Sequence, residues 1–284
     1  MMRKVFNEGS LYLVTGAQCS LGRATIDVVS AAIRGGVDIV QMREKNASRA
    51  ELVELGRILK DICKMNGVVF MVNDDPYLAR HVKADGVHLG QEDVKKYGLP
   101  AVRELVGPEG IIGLSTHTVR QAKDGAASGA DYIAFGPVFP TKTKDYFIGT
   151  DGLPEVLGLS DKPVVVIGGI DGENLDKVLF LGARNVAMIR YITEAPDIET
   201  RVREVKEIML RRGSAVSKVN IRINGNTESL DKVLSIGEFV GSKGFKPEQV
   251  IVEHNNVIVP REKWRDVLLS AGDNVEILSF VGGG

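Results

Sequence analysis

Three side chains that suit an anionic ring compound alternate along one short segment. Gln41, Arg43 and Lys45 are separated by Met42 and Glu44, and the segment ends a Val/Ile-rich run. Because alternate residues of a strand point to one side, we expect the amide and the two cations to converge. Arginine and lysine together suit a polyanion, and a glutamine amide can hydrogen-bond a heteroaromatic ring.

Two carboxylates follow the next two apolar runs of the sequence. Asp74 comes after the third run, behind Asn73, and Asp93 comes after the fourth. Asp75 precedes Pro76, a pairing that is also typical of a helix N-cap. Carboxylates from neighbouring strands, close to groups that bind phosphate, are typical ligands of Mg²⁺. We therefore expect Mg²⁺ to bind Asp74 and Asp93.

Hydroxyl groups, lysines and glycines follow the later apolar runs. In β/α-barrels, phosphate commonly lies against helix-start N–H groups after strands seven and eight, and glycine lets the backbone approach it closely. The candidates of this kind are Ser115, Thr141, Lys142, Thr143, Lys144, Gly169, Ile189 and Arg190. We interpret His88 and His117 as packing or hydrogen-bonding residues, because neither has a carboxylate partner or a metal-type spacing in the sequence.

The elements that must position these residues are short apolar runs that alternate with amphipathic stretches. The runs are continuous rather than alternating, which is typical of parallel strands covered on both faces. They are Leu11–Thr15, Asp38–Met42, Val68–Val72, Gly86–Leu89, Ile111–Ser115, Tyr132–Phe135, Val164–Ile167 and Asn185–Ile189. Eight strand–helix units predict a closed (β/α)8 TIM barrel, with an open doubly wound sheet as the alternative.

The pattern changes after the barrel region. We expect a barrel domain over 1–213, a linker over 214–217, and a second domain over 218–284. In the second domain a hairpin signal at Asn224-Gly225, a helical stretch near 231–242 and further strands predict a small α+β fold of the β-grasp type. Its last predicted strand runs into the glycine tail 282–284.

The composition excludes several classes of function. The 284 residues exceed one compact core, and a formal net charge of -1 leaves no basic surface for nucleic acid or an anionic membrane. No apolar run approaches membrane-spanning length and the first residues lack a signal-peptide pattern, so we expect a cytoplasmic protein. Cys19 and Cys63 have neither metal-type nor disulfide-type spacing, and we expect both to be reduced.

Residues 1–213 resemble thiamine-phosphate synthases. The matching segments are Leu11–Thr15, Gln41-x-Arg43-x-Lys45, Asn73–Asp75, Asp85–Asp93, Gly136–Lys144 and Ile167–Ile170. The family joins a hydroxymethylpyrimidine diphosphate to a thiazole phosphate with Mg²⁺ and releases diphosphate. The resemblance therefore implies these two substrates and this metal for the barrel.

The same resemblance implies roles for single residues. The pyrimidine would be held by Gln41, Met42, Arg43, Glu44, Lys45 and Asn73. The diphosphate would be held by Ser115 and Lys144, and the thiazole phosphate by Thr141, Thr143, Gly169, Ile189 and Arg190, with Lys142 as a further substrate-binding residue. Mg²⁺ would be held by Asp74 and Asp93, and the catalytic residues would be Arg43, Lys45, Ser115 and Lys144. Arg190 stands where many relatives carry serine, which leaves the role of its side chain open, and Gly16-Ala17 replaces a polar pair.

Residues 218–284 resemble the ubiquitin-like sulfur carrier of thiazole biosynthesis. The matching segments are Ile221–Gly225, Val259–Trp264, Gly272–Ile277 and the terminal Gly283-Gly284. The resemblance implies that an E1-like enzyme adenylates the Gly284 carboxylate, which becomes a thiocarboxylate and delivers sulfur to a thiazole synthase. A tail without side chains can enter a narrow activating site.

Two alternatives stay open. One is a thiazole tautomerase-like barrel without synthase activity, although such a protein would not need the residues expected to bind the diphosphate. The other concerns the second domain, which could be a structural module or a carrier of the molybdopterin type, because both carriers share the fold and the Gly-Gly end.

Overall fold

The chain forms two compact units, residues 1–213 and 214–284. The computed structural model describes residues 5–6, 9–159, 162–214, 219–230, 234–270 and 272–279. Each unit has its own sheet and its own apolar core, and each is described by itself.

The first unit contains a closed barrel of eight parallel strands. They are β1 (Leu11–Val14), β2 (Ile39–Met42), β3 (Val69–Asn73), β4 (Gly86–Leu89), β5 (Ile111–Thr116), β6 (Tyr132–Phe135), β7 (Val164–Ile167) and β8 (Asn185–Met188). They pair in sequence order, and β1 closes the ring on β8 with Tyr12 opposite Ala187. The predicted TIM barrel is confirmed, with every strand end within one residue of its predicted position. The open doubly wound sheet is excluded, since such a sheet has two free edges.

Helices follow the strands and cover the outside of the barrel. They are α1 (Thr25–Gly35), α2 (Arg49–Met65), α3 (Pro76–His81), α4 (Gln91–Tyr97), α5 (Leu99–Val106), α6 (Val119–Ala127), α7 (Leu153–Gly158), α8 (Leu175–Phe180), α9 (Arg190–Thr193) and α10 (Ile198–Ser214). The capping box that the sequence predicts at Ser48 is present, with Glu51 as its reciprocal partner. Asp75 accepts the Leu78 N–H at 2.8 Å and so caps α3.

Strand side chains alternate between two apolar cores. In β1, Leu11 and Leu13 point outward and pack between the strands and the helices. Tyr12 and Val14 point inward and fill the barrel together with Phe6. Inward residues at the carboxyl ends of the strands therefore face one shared space, which is where active sites form in this fold.

The second unit is a five-stranded sheet with one helix. Its strands are β9 (Val219–Ile223), β10 (Asn226–Leu230), β11 (Val250–His254), β12 (Val257–Ile258) and β13 (Asn274–Ser279), in the spatial order β10-β9-β13-β11-β12. The central pair β9 and β13 is parallel and the others are antiparallel, as in a β-grasp fold. Helix α11 (Ile236–Ser242) buries Phe239 and Val240 in this core.

Two boundaries that the sequence predicts after residue 213 differ from the structure. The helix expected from Asp231 begins at Ile236, because Ser235 caps it in a box with Glu238. Helix α10 ends at Ser214, the first residue of the expected linker, while 215–218 lie outside the described residues. The Gly283-Gly284 tail also lies outside them. Among the residues that the structure describes, no helix is long and apolar enough to cross a membrane.

Candidate active site

A cavity of about 560 Å³ lies at the carboxyl ends of the barrel strands. Most of the barrel residues that the sequence singled out contribute to its wall. These are Gln41, Arg43, Asn73, Ser115, Thr141, Lys142, Thr143, Lys144, Gly169, Ile189 and Arg190. Residues from β2, β3 and β5 and from the loops after β6, β7 and β8 thus meet in one space. The cations Arg43, Lys142, Lys144 and Arg190 make that space suitable for anions.

A pair of carboxylates lies beside this cavity rather than in its wall. The Asp74 and Asp93 carboxyl groups are within hydrogen-bonding reach of each other. Burial, followed by the negative charge of Asp93, raises the pKa of Asp74 to about 6. Lys45 is close enough that its charge opposes this rise. Two carboxylates that repel each other next to an anion site form a place where a cation is stabilising.

The donor set fits Mg²⁺ better than a metal held entirely by protein. Within the described ranges, no group of three or more His, Cys, Asp and Glu side chains is arranged to hold a metal ion. Mg²⁺ usually binds through one or two carboxylates together with substrate phosphates and water. One Asp93 oxygen already accepts the Gly90 N–H at 2.9 Å, so Asp93 is held at the start of α4. Asp74 and Asp93 are therefore the two ligands that the protein could supply.

The backbone of two residues is adapted to the site. Asp74 has a φ of 64°, a left-handed conformation that Asp and Asn tolerate better than most side chains. Gly169 has a φ of 65°, and a Cβ at this position would overlap the carbonyl oxygen of Pro140. Only glycine therefore allows the β7 loop to lie directly against the loop that carries Thr141 and Lys144.

Arg190 lies at the opposite end of the cavity, at the start of α9. Its guanidinium pairs with Glu194 through Nη1, and its buried Nε–H has no hydrogen-bond partner in the structure. Arg201 also lines this end, with its guanidinium 4.3 Å from the centre of the Tyr191 ring. Two guanidinium groups and one unused N–H make this end suitable for a phosphate group.

Three predicted substrate-binding residues, Met42, Glu44 and Lys45, do not contribute to the cavity wall. Met42 points outward and packs into the core between strands and helices, close to Gly56. Glu44 accepts hydrogen bonds from Thr15 Oγ1 at 2.7 Å and from the Ala17 N–H at 2.7 Å. The Glu44 carboxylate therefore holds the loop after β1, and its contact with substrate stays a prediction. Strand alternation explains both positions, because Met42 and Glu44 flank the inward Arg43.

Both histidines line the cavity and are hydrogen-bonded, as expected. His117 donates from Nδ1 to the Gly136 carbonyl, and His88 contacts Ser115 through Nε2 at 2.8 Å. Burial, and then the charge of His117, lowers the pKa of His88 to about 4, so His88 is neutral at physiological pH. The sequence interpretation overlooked Tyr12, whose hydroxyl lies in the cavity wall. The alternation of Tyr12 with Leu11 and Leu13 along β1 could have indicated that its side chain points into the barrel.

A closed barrel with cations, hydroxyls and a carboxylate pair around one cavity at its carboxyl end defines a phosphate-handling β/α-barrel enzyme. Residues 11–192 match the family model described as thiamine monophosphate synthase, and residues 218–284 match the ThiS family. The chain belongs to the thiamine monophosphate synthase family, carries a ThiS-family domain at its C-terminal end, and is a transferase of thiamine biosynthesis.

Proteins that are similar in sequence to the barrel region are described as thiamine-phosphate synthases. The chain is 42% identical over 193 residues to the thiamine-phosphate synthase of Haloarcula marismortui, covering 66% of this chain and 90% of the relative. It is 41% identical over 192 residues to that of Shouchella clausii, with the same coverage of both chains. The solved thiamine phosphate pyrophosphorylase of Pyrococcus furiosus superposes with a TM-score of 0.66 at 33% identity, covering 72% of this chain and 98% of that one.

Proposed function

We propose that the barrel joins hydroxymethylpyrimidine diphosphate to thiazole phosphate, forming thiamine phosphate and diphosphate with Mg²⁺. The single observation that carries the proposal is the meeting of two anion-binding regions in one cavity. One region lies at strand ends, with Arg43 after β2 and Ser115 on β5, and the other lies in the loops after β6, β7 and β8, with Lys144, Gly169 and Arg190. A site that binds a single phosphate compound would need only one of them.

The chemistry requires a leaving group to be stabilised rather than a protein nucleophile. The bond between the pyrimidine methylene carbon and the diphosphate oxygen breaks, and its electron pair leaves on the diphosphate. The lone pair of the thiazole nitrogen then forms the new carbon–nitrogen bond. Arg43, Lys45 and Lys144 offset the negative charge that develops on the leaving oxygens, because preorganised cations act most strongly in a partly dehydrated site.

The remaining side chains orient the two rings. The Gln41 amide is positioned to hydrogen-bond the pyrimidine, together with Asn73 at the end of β3. The hydroxyls and N–H groups of the loop at Thr141 and Thr143 hold the thiazole phosphate. Orienting two reactants at one site converts a bimolecular step into an effectively unimolecular one.

Mg²⁺ would be held by Asp74 and Asp93 and would supply charge stabilisation to the diphosphate oxygens when bound. The pKa of Asp74, raised by burial and then by the charge of Asp93, supports this assignment, because a divalent cation stabilises the charged carboxylate against both effects. Lys45, whose positive charge acts on Asp74, would add a further positive charge beside the same diphosphate.

For the second unit we propose a carrier role in the preceding part of the pathway. An E1-like enzyme adenylates the Gly284 carboxylate with ATP and releases diphosphate, sulfide-level sulfur from a donor then displaces AMP to form the thiocarboxylate, and a thiazole synthase takes up that sulfur. The ThiS-family match and the β-grasp sheet support this role. Its fusion to a barrel of thiamine biosynthesis favours the thiazole pathway over the molybdopterin pathway.

The proposed reaction is tested by comparing two pyrimidine substrates. Purified full-length protein receives thiazole phosphate, Mg²⁺ and either the diphosphate or the monophosphate of hydroxymethylpyrimidine. We expect thiamine phosphate from the diphosphate alone, since monophosphate is a much poorer leaving group. Equal rates with the two substrates would exclude displacement of diphosphate. No product with either one would exclude the synthase role.

A further inference from the structure

Five hydrogen-bonded side chains form a continuous chain across the barrel interior. Gln41 Nε2 donates to the Tyr12 hydroxyl at 2.8 Å, and this hydroxyl lies 3.0 Å from that of Tyr132. The Tyr132 hydroxyl lies 2.8 Å from His88 Nδ1, and His88 Nε2 lies 2.8 Å from Ser115 Oγ. The two ends of the chain, Gln41 and Ser115, lie in the cavity wall.

The three middle members of this chain are buried and neutral. Tyr12, Tyr132 and His88 are 1%, 0% and 7% exposed. Burial lowers the pKa of His88 to about 4 and raises the pKa of both tyrosines above their usual value. Gly113, opposite Tyr132 on β5, leaves the space that this ring fills, since a Cβ there would overlap the ring.

The hydrogen bonds along this chain run in one direction, because each neutral Tyr, His and Ser side chain has a single proton to donate. Tyr12 is buried and accepts from the Gln41 amide, and the Tyr132 hydroxyl is within reach of its proton, so we infer that Tyr12 donates to Tyr132 and that Tyr132 donates to His88 Nδ1. The single N–H of His88 is then on Nε2 and donates to Ser115 Oγ. The Ser115 proton therefore has no acceptor in the chain and is free to donate into the cavity. If the chain ran in the opposite direction, Ser115 would present only lone pairs there.

We propose that Tyr12, Tyr132 and His88 are positioning residues that fix Ser115 as a hydrogen-bond donor to the leaving diphosphate. The same direction leaves the Gln41 carbonyl oxygen as an acceptor for the amino group of the pyrimidine. This inference rests on the proposed function and deepens it, because one chain sets the hydrogen-bond polarity at both the ring and the diphosphate of the pyrimidine substrate. A donor that is oriented before the reaction stabilises a developing anion without reorganisation.

The direction of the chain is measured by the tautomer of His88. Nitrogen-15 NMR of uniformly labelled full-length protein distinguishes an imidazole protonated at Nε2 from one protonated at Nδ1. The protein contains four histidines, so the His88 signals are assigned by their loss in a His88→Gln variant. We expect the Nε2–H tautomer at pH 8, where an imidazole is neutral. The Nδ1–H tautomer would overturn the proposal.

Two substitutions at His88 separate positioning from packing. His88→Gln keeps an N–H that can reach Ser115, whereas His88→Met keeps the volume without any donor. We expect kcat to fall about 10-fold or more further in the Met variant than in the Gln variant, with a smaller difference in the KM of thiazole phosphate. Equal kcat values in two folded variants would contradict the proposal, since a packing role depends on volume alone.

Tyr132→Phe tests the middle of the chain, with Tyr77→Phe as the matched control. Tyr77 is 56% exposed on α3, away from the cavity, and we expect its variant to keep wild-type turnover and an unchanged His88 tautomer. Tyr132→Phe should lower kcat and shift the tautomer population, because His88 Nδ1 loses its donor. An unchanged tautomer and kcat would overturn the proposal. Failure of the synthase role would appear separately, as absence of thiamine phosphate from wild-type protein that still has the Nε2–H tautomer.

Discussion

Asp74 combines a backbone conformation that few residue types tolerate with a carboxyl group beside a second carboxylate. Its φ is 64° and its pKa is raised to about 6, mainly by burial and then by Asp93. Both features cost stability in the protein alone, and such costs concentrate at sites where the local geometry serves a ligand. At the scale of single residues, Asp74 is therefore the position where stability and the proposed activity are opposed.

Asp74→Asn tests the proposed metal ligand while keeping a residue type that accepts the left-handed backbone. We expect kcat to fall about 100-fold or more at ordinary Mg²⁺ concentration, because an amide is a poor Mg²⁺ ligand. Asp75→Asn is the matched control, since Asn caps a helix about as well as Asp and the other Asp75 contact is a partly exposed ion pair with Arg49. Steady-state rates of both variants decide the matter, and near-normal turnover of Asp74→Asn would contradict the assignment.

The same substitution has an expected effect on stability that depends on pH. A carboxyl group with a raised folded pKa keeps its proton in the folded state while the unfolded state has lost it. The contribution of Asp74 to the stability of the metal-free protein therefore falls as pH rises from about 3.8 to about 6. Above pH 6, Asp74→Asn should be more stable than wild type by on the order of 1 kcal/mol, a value reduced by hydration of the site. Chemical denaturation at pH 5 and pH 8 without divalent cation measures this difference, and a less stable variant at pH 8 would contradict it.

At the scale of elements, the sequence predicts where the strands end, but it does not predict which side chains meet inside the barrel. Continuous Val/Ile runs locate strands because both faces are buried, and loop residues follow from them. The Tyr12–Tyr132 hydrogen bond joins residues 120 positions apart and requires the space left by Gly113. Alternation predicts which side chains point inward, but which of them meet depends on the closed geometry of the ring. The box of Ser235 and Glu238 was a readable signal for the start of α11.

The close contact between the β6 and β7 loops gives a prediction at this scale. Gly169→Ala should raise the KM of thiazole phosphate about 10-fold or more, because a Cβ displaces the Thr141–Lys144 segment. Gly182→Ala is the matched control, as it also has a positive φ but its Cβ would only make ordinary contact with Leu157. Kinetics of both variants, with their melting temperatures, separate loop displacement from backbone strain. Equal KM values in the two variants would show that the contact has no role in binding.

At the scale of the whole molecule, two units with separate cores carry two parts of one pathway. The β-grasp unit has its own cluster around Phe239 and Trp264, whose indole N–H donates to the Val259 carbonyl at 2.8 Å. Its central strand β13 ends at Ser279, and the glycine tail follows in the sequence. The barrel performs the proposed joining step, and the tail supports an earlier one.

An added residue after Gly284 should separate the two activities. With one alanine appended, we expect no thiocarboxylate after incubation with the adenylating enzyme, ATP and a sulfur donor, because the tail no longer ends in glycine. Thiamine phosphate formation by the barrel should be unchanged. Mass spectrometry of the C-terminal peptide detects the exchange of one oxygen for sulfur. Thiocarboxylate on the extended chain would contradict the carrier role assigned to Gly284.

The most direct test of the central claim is the joint yield of both products. Full-length protein is incubated with both phosphate substrates, first with Mg²⁺ and then with excess chelator, and Asp74→Asn is treated in parallel. The account predicts equal amounts of thiamine phosphate and diphosphate from wild type with Mg²⁺, and little of either from the other two samples. Diphosphate release without thiamine phosphate, or undiminished synthesis in the chelated sample, would contradict it.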